Sequence, residues 1–272
     1  MATDLYPTMV VAAAAVVAGT VGIKTRISSS IFEVGAGILI ANILGIGIAP
    51  WLDFLGTFGG LILTFLAGAE VDLILLRKQA RQSIIMGTMA FISPLIGIIL
   101  VLTVFTDWSL NARVAGALAL TTTSVAVVYA VLSEYELIKA PAARNIIAVT
   151  FVNDILTLIG INFVQTSFDF FTVLFVLTLA ALTPVIPKLI RRVVSGFGKR
   201  AVEVELRLVL AILLGISFFA DKARLHSVFG AFVLGLVFSN SIQENHDILS
   251  KTKTVTFALL APAFFIKAGM LI

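Results

Sequence analysis

The sequence predicts an all-α polytopic membrane protein of about ten transmembrane helices, and three observations predict it. Hydrophobic residues make up 60% of the 272 and charged residues only 12%, whereas a soluble globular domain carries about 25% charged residues. Mean hydropathy is +1.11. The apolar residues also fall into ten separate segments, most of them near the roughly 20 residues that a helix needs to cross about 30 Å of hydrocarbon.

Residues 8–23 form the first segment. Met1 to Pro7 carries no basic residue, and no small-residue cleavage pattern follows, so this is a retained span and not a secretory signal. Segments 31–49 and 54–69 follow, and 83–105 comes after the basic group Arg77, Lys78 and Arg81. Segment 112–132 carries Thr121-Thr122-Thr123-Ser124 near its midpoint, and 145–164 carries Asp154. The seventh, 170–186, is kinked or ended by Pro184 and Pro187. Segments 208–220 and 228–239 are shorter than a full span, so they extend into their polar flanks or are tilted or broken. The last, 255–272, holds Lys267 and ends in the apolar run Met270-Leu271-Ile272, which predicts a truncated product or a fragment.

Alternate loops divide the basic residues unevenly. Lys24, Arg26, Arg77, Lys78, Arg81, Lys139, Arg144, Lys188, Arg191, Arg192, Lys199, Arg200, Arg207, Lys251 and Lys253 fall on one side, against Arg113, Lys222 and Arg224 on the other. Cytoplasmic loops carry the excess of Lys and Arg, which places the N-terminus outside the cytoplasm; the plasma membrane is the expected location. The net charge of +4 is thereby explained by topology, and no nucleic-acid partner is expected; the partner is the lipid bilayer. With no cysteine and two distant histidines, His226 and His246, thiolate chemistry and histidine metal clusters are set aside.

A weak internal similarity suggests two halves. Val34-Gly35-Ala36-Gly37-Ile38-Leu39 resembles Phe229-Gly230-Ala231-Phe232-Val233-Leu234, and Leu66-Ala67-Gly68-Ala69 resembles Ile266-Lys267-Ala268-Gly269. Seven crossings separate equivalent helices, so the second copy enters from the opposite side, the inverted-repeat plan of many secondary transporters. Residues 1–166 are then a six-helix repeat, 167–203 a linker helix and polar hinge, and 204–272 the first three helices of the second repeat. The alternative is a chance Gly/Ala likeness, since small residues are common where membrane helices pack.

A charge at mid-membrane costs at least ~2.5–3.5 kcal/mol, which makes an ionisable residue there a functional candidate. Asp154 alone among the carboxylates sits near the middle of a segment. Thr150, Asn153, Asp154 and Thr157 follow i, i+3, i+4, i+7 spacing and share one helical stripe. With Thr123 and Ser124 at similar depth, the chain offers carboxylate, amide and hydroxyl oxygens, hard ligands suited to a cation such as Na⁺ or K⁺. Interhelical hydrogen bonding is the other reading of the hydroxyls. Lys267 either snorkels to the nearer interface or faces Asp154 as a counter-charge.

Four stretches stand out in order along the chain: Phe65 to Asp72, Thr123-Ser124-Val125-Ala126 with Glu134, Phe151-Val152-Asn153-Asp154, and Gly230-Ala231-Phe232 followed by Phe264 to Met270. By these the chain resembles the monovalent cation:proton antiporter-2 family. The resemblance implies a thirteen-helix inverted-repeat fold, a homodimer, and a core domain moving against a dimerisation domain. It implies Asp154 as the ion-binding carboxylate and Thr123 and Ser124 in an unwound crossover beside it. Asn153 stands where electrogenic members have a second aspartate, which implies electroneutral exchange. The family's basic partner of the aspartate belongs to helices beyond Ile272, and Lys267 stands where a small residue is common.

The expected activity is exchange of Na⁺ or K⁺ for H⁺ at one carboxylate, without cofactor and without enzymatic turnover. Two other readings remain: channel-like K⁺ efflux, and a truncated non-transporting subunit or sensor. An intramembrane aspartyl protease needs two mid-membrane carboxylates, and the sequence has one.

Overall fold

The computed structural model describes residues 5–70, 73–164, 177–178, 181, 202–222, 227–244 and 246–272, and every regular element among them is helical. The helices are α1 (Leu5–Thr25), α2 (Ser29–Asn42), α3 (Pro50–Ala69), α4 (Leu73–Phe105), α5 (Leu110–Thr121), α6 (Val125–Glu134) and α7 (Pro141–Val164), then α8 (Val202–Lys222), α9 (Ser227–Glu244), α10 (His246–Val255) and α11 (Ala261–Met270). Six stretches are long and apolar enough to cross a membrane: Leu5–Thr25, Pro50–Ala69, Ala80–Phe105, Leu110–Glu134, Pro141–Ile161 and Leu249–Met270. Ser29–Asn42, Arg207–Ala220 and Val228–Ser239 are shorter apolar helices. The chain is a polytopic α-helical membrane protein.

Several boundaries differ from the sequence reading for identifiable reasons. The second helix stops at Asn42 and not near residue 49, because Gly45 takes a left-handed φ of 63° and Pro50 starts α3 afresh. The fifth segment is not one helix but two, α5 and α6, separated by residues 122–124. The last helix begins earlier than expected, at His246, and passes through a π-turn at Thr256–Leu260. Pro262 lies just beyond that turn, where its ring and missing N–H disturb regular α bonding. α8 begins at Val202, so the end of the expected hinge is helical. The seventh segment, 170–186, and the linker 167–203 otherwise fall mostly outside the described residues, as does His226.

α3 is the axis of the bundle. Every residue from Gly59 to Ala69 is buried, and Phe65, Leu66, Tyr129, Leu213 and Phe232 form one apolar core around it. α4 is the opposite case: only 6% of its Ala80–Phe105 window is buried, and Ile84, Met89, Ile96, Val104 and Phe105 face outward. In water such a face is a liability; against lipid it costs nothing.

Four glycines set the closest crossings. A Cβ on Gly68 of α3 falls on the Phe232 carbonyl oxygen of α9, and one on Gly235 falls on the Phe65 carbonyl oxygen in return. Gly37 of α2 and Gly269 of α11 make the same reciprocal contact with Ile266 and Val34. Here the need is for space, since backbone meets backbone and has no side-chain end that can yield.

Gly235→Ala is therefore expected to lower the thermal unfolding midpoint in detergent, by the ~1–3 kcal/mol that overpacking costs. Gly215→Ala, on α8 with nothing within 4 Å of the added Cβ, is expected to raise it by up to ~1 kcal/mol through helix propensity.

Candidate ion-binding site

The backbone leaves the helix at the end of α5. Thr122 has φ −63° and ψ 144°, and Ser124 has φ −129° and ψ 113°, both extended. The break orphans the last carbonyls of α5 and the first amides of α6, groups that hydrocarbon cannot satisfy. The Ser124 hydroxyl oxygen accepts from the Val127 amide at 3.4 Å and so caps α6. Thr121 turns its hydroxyl back to the Ala117 carbonyl at 2.7 Å.

α7 supplies the rest. Asn153, 1% exposed, donates from Nδ2 to the Thr121 carbonyl at 3.4 Å and to Thr123 Oγ1 at 3.2 Å. Thr157 donates to Asn153 Oδ1 at 3.5 Å and fixes the amide from the next turn. Asp154 is half-buried, accepts from Thr123 Oγ1 at 3.2 Å through Oδ1, and faces the Val125 amide at the start of α6. An anionic group at a helix N-terminus is favoured by the exposed amides and the helix dipole.

The structure thus brings Asp154, Asn153, Thr123 and Ser124 together. Asp154, Thr123 and Ser124 border a cavity of about 460 Å³, whose wall also includes Thr64 and Phe264; Asn153 lies behind them, out of its lining. Phe151 and Phe229 make its apolar side, with Phe151 stacked on Phe232 at 3.8 Å between ring centroids. A carboxylate and hydroxyls converge from one side of a largely apolar chamber, the arrangement that can strip and hold a small hard cation or a proton. Among the described residues no three His, Cys, Asp or Glu gather in one place.

Lys267 is placed elsewhere. Its ammonium pairs with Asp53 Oδ1 at 2.7 Å and donates to Thr57 Oγ1 at 2.6 Å, both on α3, and it does not line the Asp154 cavity. Thr64 and Gly60 of α3, which do line it, were not singled out from the sequence. Thr64 carried a faint signal as a hydroxyl inside an apolar span, but no spacing rule says which helix α3 faces.

The family described as sodium/hydrogen exchanger, transmembrane, matches residues 11–272. The probable Na⁺/H⁺ antiporter 3 of Methanocaldococcus jannaschii is 28% identical over 248 residues, which cover 86% of this chain and 63% of that protein. The Na⁺/H⁺ antiporter of Enterococcus hirae is 25% identical over 93% of this chain and 70% of its own length. The probable Na⁺/H⁺ antiporter GerT of Bacillus cereus is 24% identical over 93% and 70% respectively. This chain therefore spans about 63–70% of the length of these relatives.

Asn153→Ala leaves the Thr121 carbonyl without its donor, so it is expected to cost about 1–3 kcal/mol of stability, read as a lower unfolding midpoint. Thr157→Val removes one long bond, and its expected cost is below ~1 kcal/mol.

Proposed function

Because the chain belongs to the sodium/hydrogen exchanger family, we propose that it is a secondary transporter exchanging one Na⁺ or K⁺ for one H⁺ at Asp154. The observation that carries this reading is the meeting of Asp154 with a broken helix. Thr123 bonds its carboxylate, and a cavity opens on both. Asp154 takes either a proton or a dehydrated cation, and only the occupied, neutralised site crosses between inward- and outward-facing states. The empty carboxylate is held back by the cost of moving a bare charge through hydrocarbon. One carboxylate, with Asn153 beside it in place of a second, gives electroneutral one-for-one exchange. Asn153 and Thr123 hold the break open and in register, and Ser124 starts α6 so that its amides face the ion.

The inverted-repeat architecture is part of the same proposal, with the N-terminus outside the cytoplasm and the chain in the plasma membrane. Its support is the matched pair of glycine crossings. Val34 and Gly37 of α2 meet α11 as Phe232 and Gly235 of α9 meet α3, and Gly269 and Ile266 of α11 answer to Gly68 and Phe65 of α3. In this register Val34 corresponds to Phe232 and not to Phe229, one turn along from the likeness read in sequence.

The test is proteoliposomes containing an internal pH dye, with Na⁺ or K⁺ added outside. Wild type is expected to give cation-dependent alkalinisation and Asp154→Asn to show only the background leak; exchange that survives the substitution overturns the assignment. Because proton and cation compete, the Na⁺ concentration for half-maximal rate should rise as pH falls, approaching about tenfold per pH unit once the proton dominates the site.

A further inference from the structure

A pair of carboxylates meets at the other end of α6. The Glu134 carboxylate accepts from Ser28 Oγ at 2.6 Å, from the Ser29 amide at 2.8 Å and from the Ser29 hydroxyl, so it is fixed at the N-terminus of α2. Beside it lies a cavity of about 240 Å³ bordered by Ser30, Glu33, Ser133, Glu134, Phe257 and Phe265. Glu33 is 6% exposed, yet it makes no hydrogen bond or ion pair with any described residue. It lies close enough to Glu134 to feel its charge. The Ser133 hydroxyl is buried beside the Tyr129 hydroxyl one turn back on the same helix, and no basic side chain is among the described residues lining the cavity.

A buried carboxylate without donors is costly as an anion, and it is relieved either by a proton or by a positively charged partner. Here it opens onto a space large enough for an ion with waters, next to a second carboxylate and two hydroxyls. These are hard oxygen donors carrying negative charge, the ligand type of alkali cations. α6 has 10 residues and so is about 15 Å long, with the Asp154 cavity at its first turn and this one at its last.

We propose that this cavity is a second alkali-cation site, held by Glu33 and Glu134 with the hydroxyls of Ser30 and Ser133, one α6 length from Asp154. The choice of ion rests on the reading of the chain as a cation carrier; the need for a partner at Glu33 does not.

The test titrates NaCl, and separately KCl, into the full chain in detergent by calorimetry, with choline chloride as the blank. Asp154→Asn is expected to retain Na⁺ or K⁺ binding, and adding Glu33→Gln should weaken that residue of binding about tenfold or more. Ser133→Ala should weaken it in the same direction. Glu33→Gln replaces an unpartnered buried charge with a neutral isostere, so its unfolding midpoint should hold or rise. Loss of all cation binding in Asp154→Asn overturns the second site, as does residual binding that Glu33→Gln leaves unchanged. If Asp154 were not a site at all, Asp154→Asn would bind like wild type while Glu33→Gln alone removed binding, which separates the two claims.

Discussion

Inside a bilayer a backbone carbonyl that has lost its helical partner can bond only to protein or to trapped water. Everything particular about this chain follows from how that constraint is met at residues 122–124. The break between α5 and α6 is held by α7, chiefly by Asn153, whose amide reaches the Thr121 carbonyl and the Thr123 hydroxyl. The same turn of α7 presents Asp154 to the same hydroxyl. Repairing the backbone and positioning the carboxylate are therefore one act of packing. A side chain that merely filled the space at Asn153 would leave the break unsupported and the carboxylate without its neighbour.

The opposing wall depends on small residues. α3 can approach α9 and α11 closely because Gly68, Gly235 and Gly59 carry no Cβ. That approach brings Thr64 and Phe264 to the cavity edge facing Asp154. Larger residues at those crossings would hold the helices apart and open the chamber to lipid or water, weakening every electrostatic interaction inside it. α4 packs closely on α7 at Gly87 and leaves its other face outward, since lipid supplies no hydrophobic drive for that face to bury itself.

The legible parts of the fold were those set by one-dimensional rules. Hydrophobic length marked the six long apolar spans, and the i, i+3, i+4, i+7 stripe on α7 picked out Asn153, Asp154 and Thr157, which are neighbours in the structure. What escaped was set by tertiary packing. Glu33 read as a carboxylate near a helix end, yet α6 and the α10–α11 turn cover it to 6% exposure. The Thr122–Ser124 break gave no periodicity signal, because an apolar window averages across three extended residues; only resemblance pointed to it. The two readings of Lys267 turned on a partner that sequence could not supply, Asp53, 214 residues away.

The charges of the described bundle divide by what faces them. Lys267 meets Asp53 at one end of α3, and Lys253 meets Glu70 at the other, so α3 is tied to the last helix of the chain at both ends. These pairs are partly exposed, and at most ~1 kcal/mol of stability is expected from such contacts; their use is to fix orientation. Asp154 and Glu33 have no opposite charge among the described residues, and each opens on a cavity. A carboxyl group in an apolar bundle needs either a proton or a positive partner. In the exchange proposed for Asp154, the partner of the carboxylate must be able to arrive from one side, be exchanged, and leave. Among the described residues, Asp154 takes its hydrogen bonds from the Thr123 hydroxyl and the Val125 amide, neutral donors that do not balance its charge.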